Sequence, residues 1–436
     1  MATIPQVCDV LRKVLTTVAE QAGKESGLVK RSRKLTGDKL AQTLVFGWMN
    51  NGQVGMEELS QTALAVGVKV SPQAIDQRLT KQAADCMKQV LEAGVEEIVA
   101  ASPVAVPVLE KFNGVYLQDS STIVLPDTLC EVWLGCGGNT AKGTSASVKM
   151  QVRLDLCTGT LAGPYLQDGR RQDRNCQMQQ LPLPAGALRI ADLGYFSLDG
   201  MERLSTDGVY WLSRVQVGTV LFDERHQRWN MFELLTAQGT DEVDIPIYLG
   251  LAKRLSCRLL GVKVPPEVAA QRCRKLKYQA KRKYQTVSKE RLALGGWNIY
   301  VTNVPKEMLS FEEALVLGRA RWQIELLFKL WKSVGQADQW KSSKPWRVLC
   351  ELYAKLLGLL IQHWAILIGC WENPDRSLTK AVKTIRSYAM AIASALSGQL
   401  ALERVFEIIQ RCIKQGCRMN RRRQHPNTYQ LLLQFP

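Results

Sequence analysis

A run of strand-like segments between residues 115 and 215 constrains the fold of this chain more than any other feature. The segment SVKMQVRLDL (147–156) alternates polar and apolar residues, as a half-buried strand does. VYLQDSSTIVLP (115–126) predicts a strand, a turn and a second strand. ALRIADLGYF (187–196) predicts a short strand that ends at an acidic residue, and a helix (SLDGMERLSTDG) and a strand (VYWLSRV) follow. This succession predicts a mixed α/β domain.

The first hundred residues predict helices instead. Residues 56–66 form an amphipathic segment, Gly67 is a helix stop, and Ser71-Pro72 is typical of a helix start. A helix, a short glycine turn and a second helix resemble a DNA-binding helix-turn-helix. A plain helical hairpin fits the same pattern nearly as well.

The chain carries a large positive charge, with 57 Lys and Arg against 40 Asp and Glu and a net charge of +17. An excess of that size favours a polyanionic partner, because neutralising phosphates releases condensed counterions. Charge alone does not distinguish DNA, RNA and anionic lipid, and a generally basic soluble protein stays an alternative.

Basic residues concentrate in three segments. The strongest, residues 271–291, has nine Lys or Arg against one acid, with Tyr278 and Tyr284 between them. We interpret it as a helix that follows DNA phosphates, with a solvated face as the alternative. Its candidate DNA contacts are Arg274, Lys275, Lys277, Lys281, Arg282 and Lys283. The other two segments are the run Lys30, Arg31, Arg33 and Lys34 and the tail RMNRRRQHPNTYQ.

Membrane and zinc proteins are disfavoured. The most apolar stretch, residues 349–371, carries Glu351, Lys355, Gln362 and His363, so it predicts a buried helix rather than a membrane span. Twelve cysteines occur without C-x2-C pairs, and the three histidines lie far apart. A zinc site is therefore not expected, and a reduced cytoplasmic location, associated with the nucleoid, fits best.

A predicted helix over residues 312–332 places Arg321, Glu325 and Lys332 within roughly 60° of one another on one face. Taken alone, this spacing favours a surface salt bridge worth a few tenths of a kcal/mol. However, Asp119 and Asp192 each end a predicted strand, where α/β sheets place their sites. Three converging carboxylates would suit two Mg²⁺ ions, which stabilise the attacking and leaving oxygens of a phosphoryl displacement. Arg321 and Lys332 would then contact the scissile phosphate.

At these residues the sequence resembles the DDE transposases of bacterial insertion sequences, in the insertion-sequence-four type with the signature Y-x2-R-x3-E-x6-K. Arg321, Glu325 and Lys332 match its last three letters, and QDSSTIVLPD and IADLGYF match the two aspartate blocks. VTNVP stands where the family has a similar Thr-Asn turn. Gly318 occupies the position of the signature tyrosine, which in relatives contacts DNA near the cleaved end.

The resemblance implies an RNase H-like core whose first and fourth strands bring Asp119 and Asp192 together, interrupted by a β-rich insertion. A helical DNA-binding domain would precede it and a helical C-terminal region would follow. The expected boundaries are 1–102 for the N-terminal domain, 103–217 and 306–400 for the two parts of the core, 218–305 for the insertion and 401–436 for the basic C-terminal region.

The resemblance also implies cut-and-paste transposition with Asp119, Asp192 and Glu325 holding Mg²⁺, or Mn²⁺ as a substitute. Cleavage at the terminal inverted repeats frees a 3′-hydroxyl that attacks target DNA, in several relatives through a hairpin. A homodimer on paired double-stranded DNA ends is expected. Trp297, and second Trp229, are candidates to stack on a flipped base, with a core position as the alternative.

Other enzyme classes lack their motifs. The sequence has no H-x-x-R pair of a tyrosine recombinase and no G-x-S-x-G, P-loop or Rossmann fingerprint. A glycosidase would leave the +17 charge unexplained. Two alternatives stay open: a decayed or domesticated transposase that binds DNA without cutting it, and an RNase H-like nuclease that does not join strands.

Overall fold

The computed structural model describes residues 2–30, 34–136, 145–282, 284–373, 375–420 and 427–435. The N-terminal region is helical, as predicted. Its helices are α1 (Ile4–Arg12), α2 (Ala19–Glu25), α3 (Gly37–Asn50), α4 (Met56–Ala65), α5 (Pro72–Arg78), α6 (Lys81–Val95) and α7 (Pro107–Glu110). A π-helical segment, Lys13–Val18, joins α1 to α2.

The helix-turn-helix segment has the predicted local structure. Gly67 has a φ of +87°, which a glycine adopts without strain, and it ends the first helix. The Ser71 hydroxyl accepts a hydrogen bond from the Ala74 N–H and so caps α5. Asp76 of α5 forms ion pairs with Lys344 and Arg347, so this short helix docks on a later part of the chain. Contact of this unit with DNA stays a prediction.

Within the described ranges, the strands form one mixed sheet of ten. In chain order they are β1 (Val115–Leu125), β2 (Ala146–Asp155), β3 (Leu161–Asp168), β4 (Leu188–Ala191), β5 (Tyr210–Arg214), β6 (Leu221–Phe222), β7 (Arg228–Trp229), β8 (Glu242–Leu249), β9 (Leu255–Lys263) and β10 (Trp297–Thr302). Their spatial order is β3-β2-β1-β4-β5-β10-β9-β8-β6-β7. β1, β4 and β5 run parallel, and the remaining pairings are antiparallel.

The helices between these strands are α8 (Leu198–Thr206), α9 (Met231–Ala237), α10 (Pro266–Arg282) and α11 (Lys289–Leu294). Helix α8 is the one predicted between β4 and β5, and its Ser197 hydroxyl caps it by accepting from the Gly200 N–H.

Two strand predictions were wrong in detail. β1 is one continuous strand rather than two, because it pairs with β2 without a break from Tyr116–Asp155 to Leu125–Ala146. Asp119 therefore lies within a strand and not at its end. β2 is buried on both faces rather than half-buried, because a later segment covers its polar face: the Arg153 guanidinium donates to the Met178 carbonyl at 2.6 Å.

The C-terminal part is helical. Its helices are α12 (Phe311–Ala320), α13 (Trp322–Ser333), α14 (Pro345–Leu367), α15 (Leu378–Ser387), α16 (Ala389–Leu396), α17 (Leu402–Gly416) and α18 (Thr428–Leu432). The single helix predicted over 312–332 is in fact two that meet at Arg321, where the Ile324 N–H donates three residues back to the Arg321 carbonyl. All of α14 from Val348 onward is buried, which confirms the predicted core helix. None of the helices that the structure describes combines the length and apolar character that a bilayer crossing requires.

The strands of the predicted insertion extend the sheet of the preceding segment. β10 pairs with β5, and the Asn303 side chain accepts from the Trp211 N–H at 2.7 Å and donates to the Val209 carbonyl. Arg258 of β9 binds both carboxylate oxygens of Asp244 on β8. The same guanidinium also donates to the carbonyls of Val304 and Leu309, so it fixes the path by which the chain returns to α12.

We expect Arg258→Ala to lower the free energy of unfolding by about 3–5 kcal/mol. The change removes the two-point partner of a largely buried carboxylate, which keeps only the Lys306 ammonium at 4.0 Å, and it removes the donor to two carbonyl oxygens. Denaturant unfolding measures the loss. Arg228→Ala, which removes an exposed arginine of the same sheet, is the control and should change stability little. A loss below 1 kcal/mol for Arg258→Ala would contradict this role.

Candidate active site

The three carboxylates predicted from the sequence converge on one guanidinium. Arg321 Nη1 lies 3.3 Å from Asp119 Oδ2, and its Nε lies 3.8 Å from Asp192 Oδ1. Its Nη2 donates to Glu325 Oε1. Three acids far apart in the sequence are therefore brought together around a single cation.

The sheet places the two aspartates side by side. β1 and β4 are parallel neighbours, and their pairing ends at Gln118 opposite Ala191. Asp119 and Asp192 directly follow this last pair of residues on the two strands. Asp192 therefore comes after the end of β4, as predicted, and Asp119 lies where β1 no longer pairs with β4.

Helix α13 supplies the third carboxylate. Its Ile324, Leu327 and Trp331 side chains are buried, as predicted, and fix the rotation of the helix against the core. Glu325 then points toward Arg321 one turn earlier. Lys332 Nζ donates to the Thr122 carbonyl of β1 at 2.8 Å, so this cation also lies beside the strand that carries Asp119.

The electrostatics of the cluster are set by burial and by the shared cation. Burial raises the pKa of Asp119 to about 6, although the Ser120 N–H and Arg321 both favour its charged form. Burial opposes the charge of Arg321, but Asp192, Glu325 and Asp119 outweigh it and raise the pKa of its guanidinium. Arg321 is therefore a permanent cation at the centre of the cluster.

Carboxylate oxygens are the ligands that Mg²⁺ prefers, so the donor set suits that ion. As they lie, no three Asp, Glu, His or Cys side chains among the described residues are grouped closely enough to hold a metal. Arg321 occupies the space between the three acids, and a metal would have to replace its contacts with them.

A groove of about 1140 Å³ opens beside Arg321. It is lined by α12 and α13, by β5 and β10, and by residues near the start of α15 and before α18. Its cationic lining residues are Arg214, Arg272, Arg319, Arg321, Lys329, Arg376 and Lys380, and its described lining contains no Asp or Glu. Trp322, 55% exposed, and Leu326, 42% exposed, add apolar surface. The groove suits an extended polyanion with flat, stackable groups.

Sequence reasoning missed most of these residues. Arg214, Lys329 and the pair Arg376 and Lys380 come from three separate parts of the chain and form no motif, so their spacing carries no signal. Trp322 had a recognisable signal, because it is an aromatic residue directly after Arg321 in a helix whose inward face was already assigned.

The two tryptophans predicted to stack on a base both make contacts within the protein, and base stacking by either one stays a prediction. Trp297 is only 8% exposed and packs in the core formed by the later strands, which favours the core interpretation. Lys263 Nζ lies 5.4 Å from its ring centroid. Trp229 is half-buried and donates through Nε1 to Asp223 at 2.9 Å.

The basic segment forms the predicted helix, α10, which has no buried residue. Its predicted DNA contacts Arg274, Lys275, Lys277, Lys281 and Arg282 are exposed, and none of them lines the groove. Lys283 lies outside the described residues, as do Arg31 and Arg33 of the N-terminal run. Arg272, on the same helix, does line the groove.

Comparison with known proteins places this chain in a family. The family model described as "Transposase DDE domain" matches residues 110–361. The transposase for insertion sequence element IS231C of Bacillus thuringiensis subsp. berliner is 28% identical over 375 residues, which cover 81% of this chain and 78% of the relative. The transposase for IS231D of Bacillus thuringiensis subsp. finitimus is 25% identical, with 95% and 92% covered. The transposase for IS1151 of Clostridium perfringens is 27% identical, with 78% and 75% covered.

The matched residues make up more than half of the chain, and they include all three carboxylates and Arg321. On these grounds, the chain belongs to the DDE transposase family.

Proposed function

We propose that this protein is a DNA transposase that cuts the ends of its element and joins the freed 3′-hydroxyl to target DNA. The observation that carries the proposal is the convergence of Asp119, Asp192 and Glu325 on Arg321 at the edge of a basic groove whose described lining has no Asp or Glu. A cluster of acids alone would repel DNA. The groove supplies the cations that bring a phosphate backbone to them.

The sheet supports an RNase H-like core with an insertion. The strands β3-β2-β1-β4-β5 are adjacent in that order, and β1 and β4 lie side by side as the resemblance implies. The chain from 218 to 296 adds its strands to one edge before β10 returns beside β5.

Asp119, Asp192 and Glu325 would hold Mg²⁺, which when bound supplies Lewis-acid activation of the phosphate. Other side chains of the protein bind and position the DNA. The groove cations bind and orient the DNA end, and Lys332 neutralises charge beside β1. Arg321 would leave the carboxylates and donate to a phosphate oxygen, since a guanidinium binds carboxylate and phosphate by the same paired geometry. We also propose that two copies of the protein act as a homodimer on a pair of DNA ends.

Cleavage of a duplex that ends in the inverted repeat bracketing this gene tests the function. We expect strand cleavage with Mg²⁺ or Mn²⁺, followed by joining of the 3′-end to a second duplex, and neither product with EDTA or Ca²⁺. Sequencing gels resolve both products.

The other outcomes identify the alternatives. Cleavage without joining would overturn the transposase assignment in favour of a nuclease. Binding without cleavage would indicate a domesticated or decayed transposase. If the protein neither binds nor cleaves the duplex, a DNA function for the groove is rejected.

A further inference from the structure

The floor of the groove on the sheet side is formed by one face of β10. Successive side chains of a strand alternate between its two faces, so Asn298 and Tyr300 share a face, and both line the groove. Trp297, on the other face, is buried in the core of the later strands. Strand β10 therefore offers polar side chains to whatever occupies the groove.

The ring of Tyr300 packs directly against Gly318. A β-carbon at position 318 would lie 2.7 Å and 2.8 Å from two ring carbons of Tyr300 and 3.2 Å from its hydroxyl oxygen. The phenol end of the ring thus fills the space that a side chain at 318 would need. The glycine in place of the signature tyrosine is explained by this contact, because α12 can pack here only without a side chain.

Two arginines lie near Tyr300 at the floor of the groove. Arg214 of β5 lies directly across from Tyr300 in the β5–β10 pairing, on the same face of the sheet. Arg272 donates to the Asn298 side chain at 2.8 Å and to the Trp297 carbonyl at 3.1 Å. These contacts fix one guanidinium beside the floor of the groove.

Two of these groups lack a partner. Within the residues that the structure describes, neither the Tyr300 hydroxyl nor the Arg214 guanidinium forms a hydrogen bond or an ion pair. The Tyr300 side chain is 9% exposed and lines the groove, so its position is fixed while its hydroxyl has no partner. A fixed hydroxyl donor beside an unpaired cation matches a phosphate oxygen better than a base edge, because the hydrogen bond and the ion pair that these groups can form are both stronger with a negatively charged acceptor.

We propose that Tyr300 and Arg214 form a phosphate-binding subsite that holds one backbone phosphate of the DNA strand in the groove. The proposal rests on the proposed function and adds to it a specific contact. In this subsite Tyr300 Oη donates to a phosphate oxygen, Arg214 neutralises the same phosphate, and Gly318 keeps the ring in place. Tyr300 is a binding and positioning residue, supplied by a strand and not by the signature helix.

Tyr300→Phe tests the hydroxyl alone, because the ring stays packed on Gly318. We expect the affinity for a fluorescein-labelled duplex ending in the inverted repeat, measured by anisotropy in Ca²⁺, to fall about tenfold. Arg214→Ala should cause a similar loss and also reduce the salt dependence of binding by about one unit of slope, whereas Tyr300→Phe should leave that slope unchanged. Tyr248→Phe, in β8 and outside the groove lining, is the matched control and should bind as the wild type does.

A methylphosphonate scan locates the contact. Neutral methylphosphonates are placed one at a time along the duplex. At one position, and not at others, wild type and Tyr300→Phe should bind with equal affinity, because the oxygen that the hydroxyl reads has been removed.

Equal binding of Tyr300→Phe and wild type to the unmodified duplex would overturn the subsite and leave the transposase proposal intact, provided the wild type still cuts and joins. A tenfold loss that persists at every methylphosphonate position would overturn it too, since the effect would then not pass through a phosphate. Failure of the wild type to bind the duplex at all would overturn both proposals.

Discussion

Replacing Asp119 or Asp192 by Asn, or Glu325 by Gln, should lower the rate of DNA-end cleavage on the order of 10³-fold or more, because each substitution removes a charged oxygen from the set that would hold the metal. Binding of the uncut duplex should change by only a few fold. The Asp119→Asn variant should fold, since burial disfavours the charged form of that carboxyl and raises its pKa to about 6. Single-turnover cleavage in Mg²⁺, with anisotropy in Ca²⁺ for binding, measures both quantities.

Matched controls are available on the segments that adjoin β1 and α13. Asp127→Asn removes an exposed carboxylate just past the end of β1, and Glu312→Gln removes one from the first turn of α12. Both should cleave as the wild type does. Near-normal cleavage by any one of the three site variants would remove that residue from the catalytic set.

Removing three groove cations should have the second-largest effect. We expect the combination Arg214→Ala, Lys329→Ala and Lys380→Ala to weaken duplex binding about a hundredfold near physiological salt and to reduce the slope of log affinity against log salt by about 2 to 3. Each side chain would release about one counterion equivalent when it neutralises a phosphate. Anisotropy titrations over a salt series measure both changes.

A combination with the same loss of charge separates the groove from general charge effects. Lys24→Ala, Arg404→Ala and Lys414→Ala remove three cations that lie outside the groove lining. If both combinations weaken binding equally, the groove is not the path of the DNA. The exposed cations of α10 would then be the stronger candidates.

The parts of the site that could be predicted from the sequence are those carried by local pattern. A carboxylate after a short apolar strand, as at Asp192, and a four-residue spacing on a helix, as in Arg321 and Glu325, are visible within a few residues. Asp119 was selected for a wrong reason, since it was placed at a strand end. It lies within β1, and only the end of its pairing with β4 makes it a site position.

What the sequence could not supply depends on packing between distant segments. Three features join residues that share no motif. They are the position of Arg321 among three acids, the pairing of the later strands with the first part of the sheet, and the contact of Tyr300 with Gly318. The departure at Gly318 suggested the loss of a DNA-binding group. The structure instead places another tyrosine at the same point, which no reading of the signature helix alone could reveal.

The long connection through the second half of the sheet also has a consequence for how the chain folds. Arg321 and Asp119 are 202 residues apart in sequence, and Asn303 meets Trp211 across 92 residues. If the later strands form first and join β5 to β10, the loop that must still close between Asp119 and Arg321 is roughly half as long. The entropic cost of closing it then falls by only about half a kcal/mol. Early pairing of β5 with β10 therefore affects the order and rate of folding rather than the stability of the fold. During synthesis the two aspartates leave the ribosome long before Glu325, so the nascent chain lacks the complete set of three carboxylates until about three-quarters of it has been made.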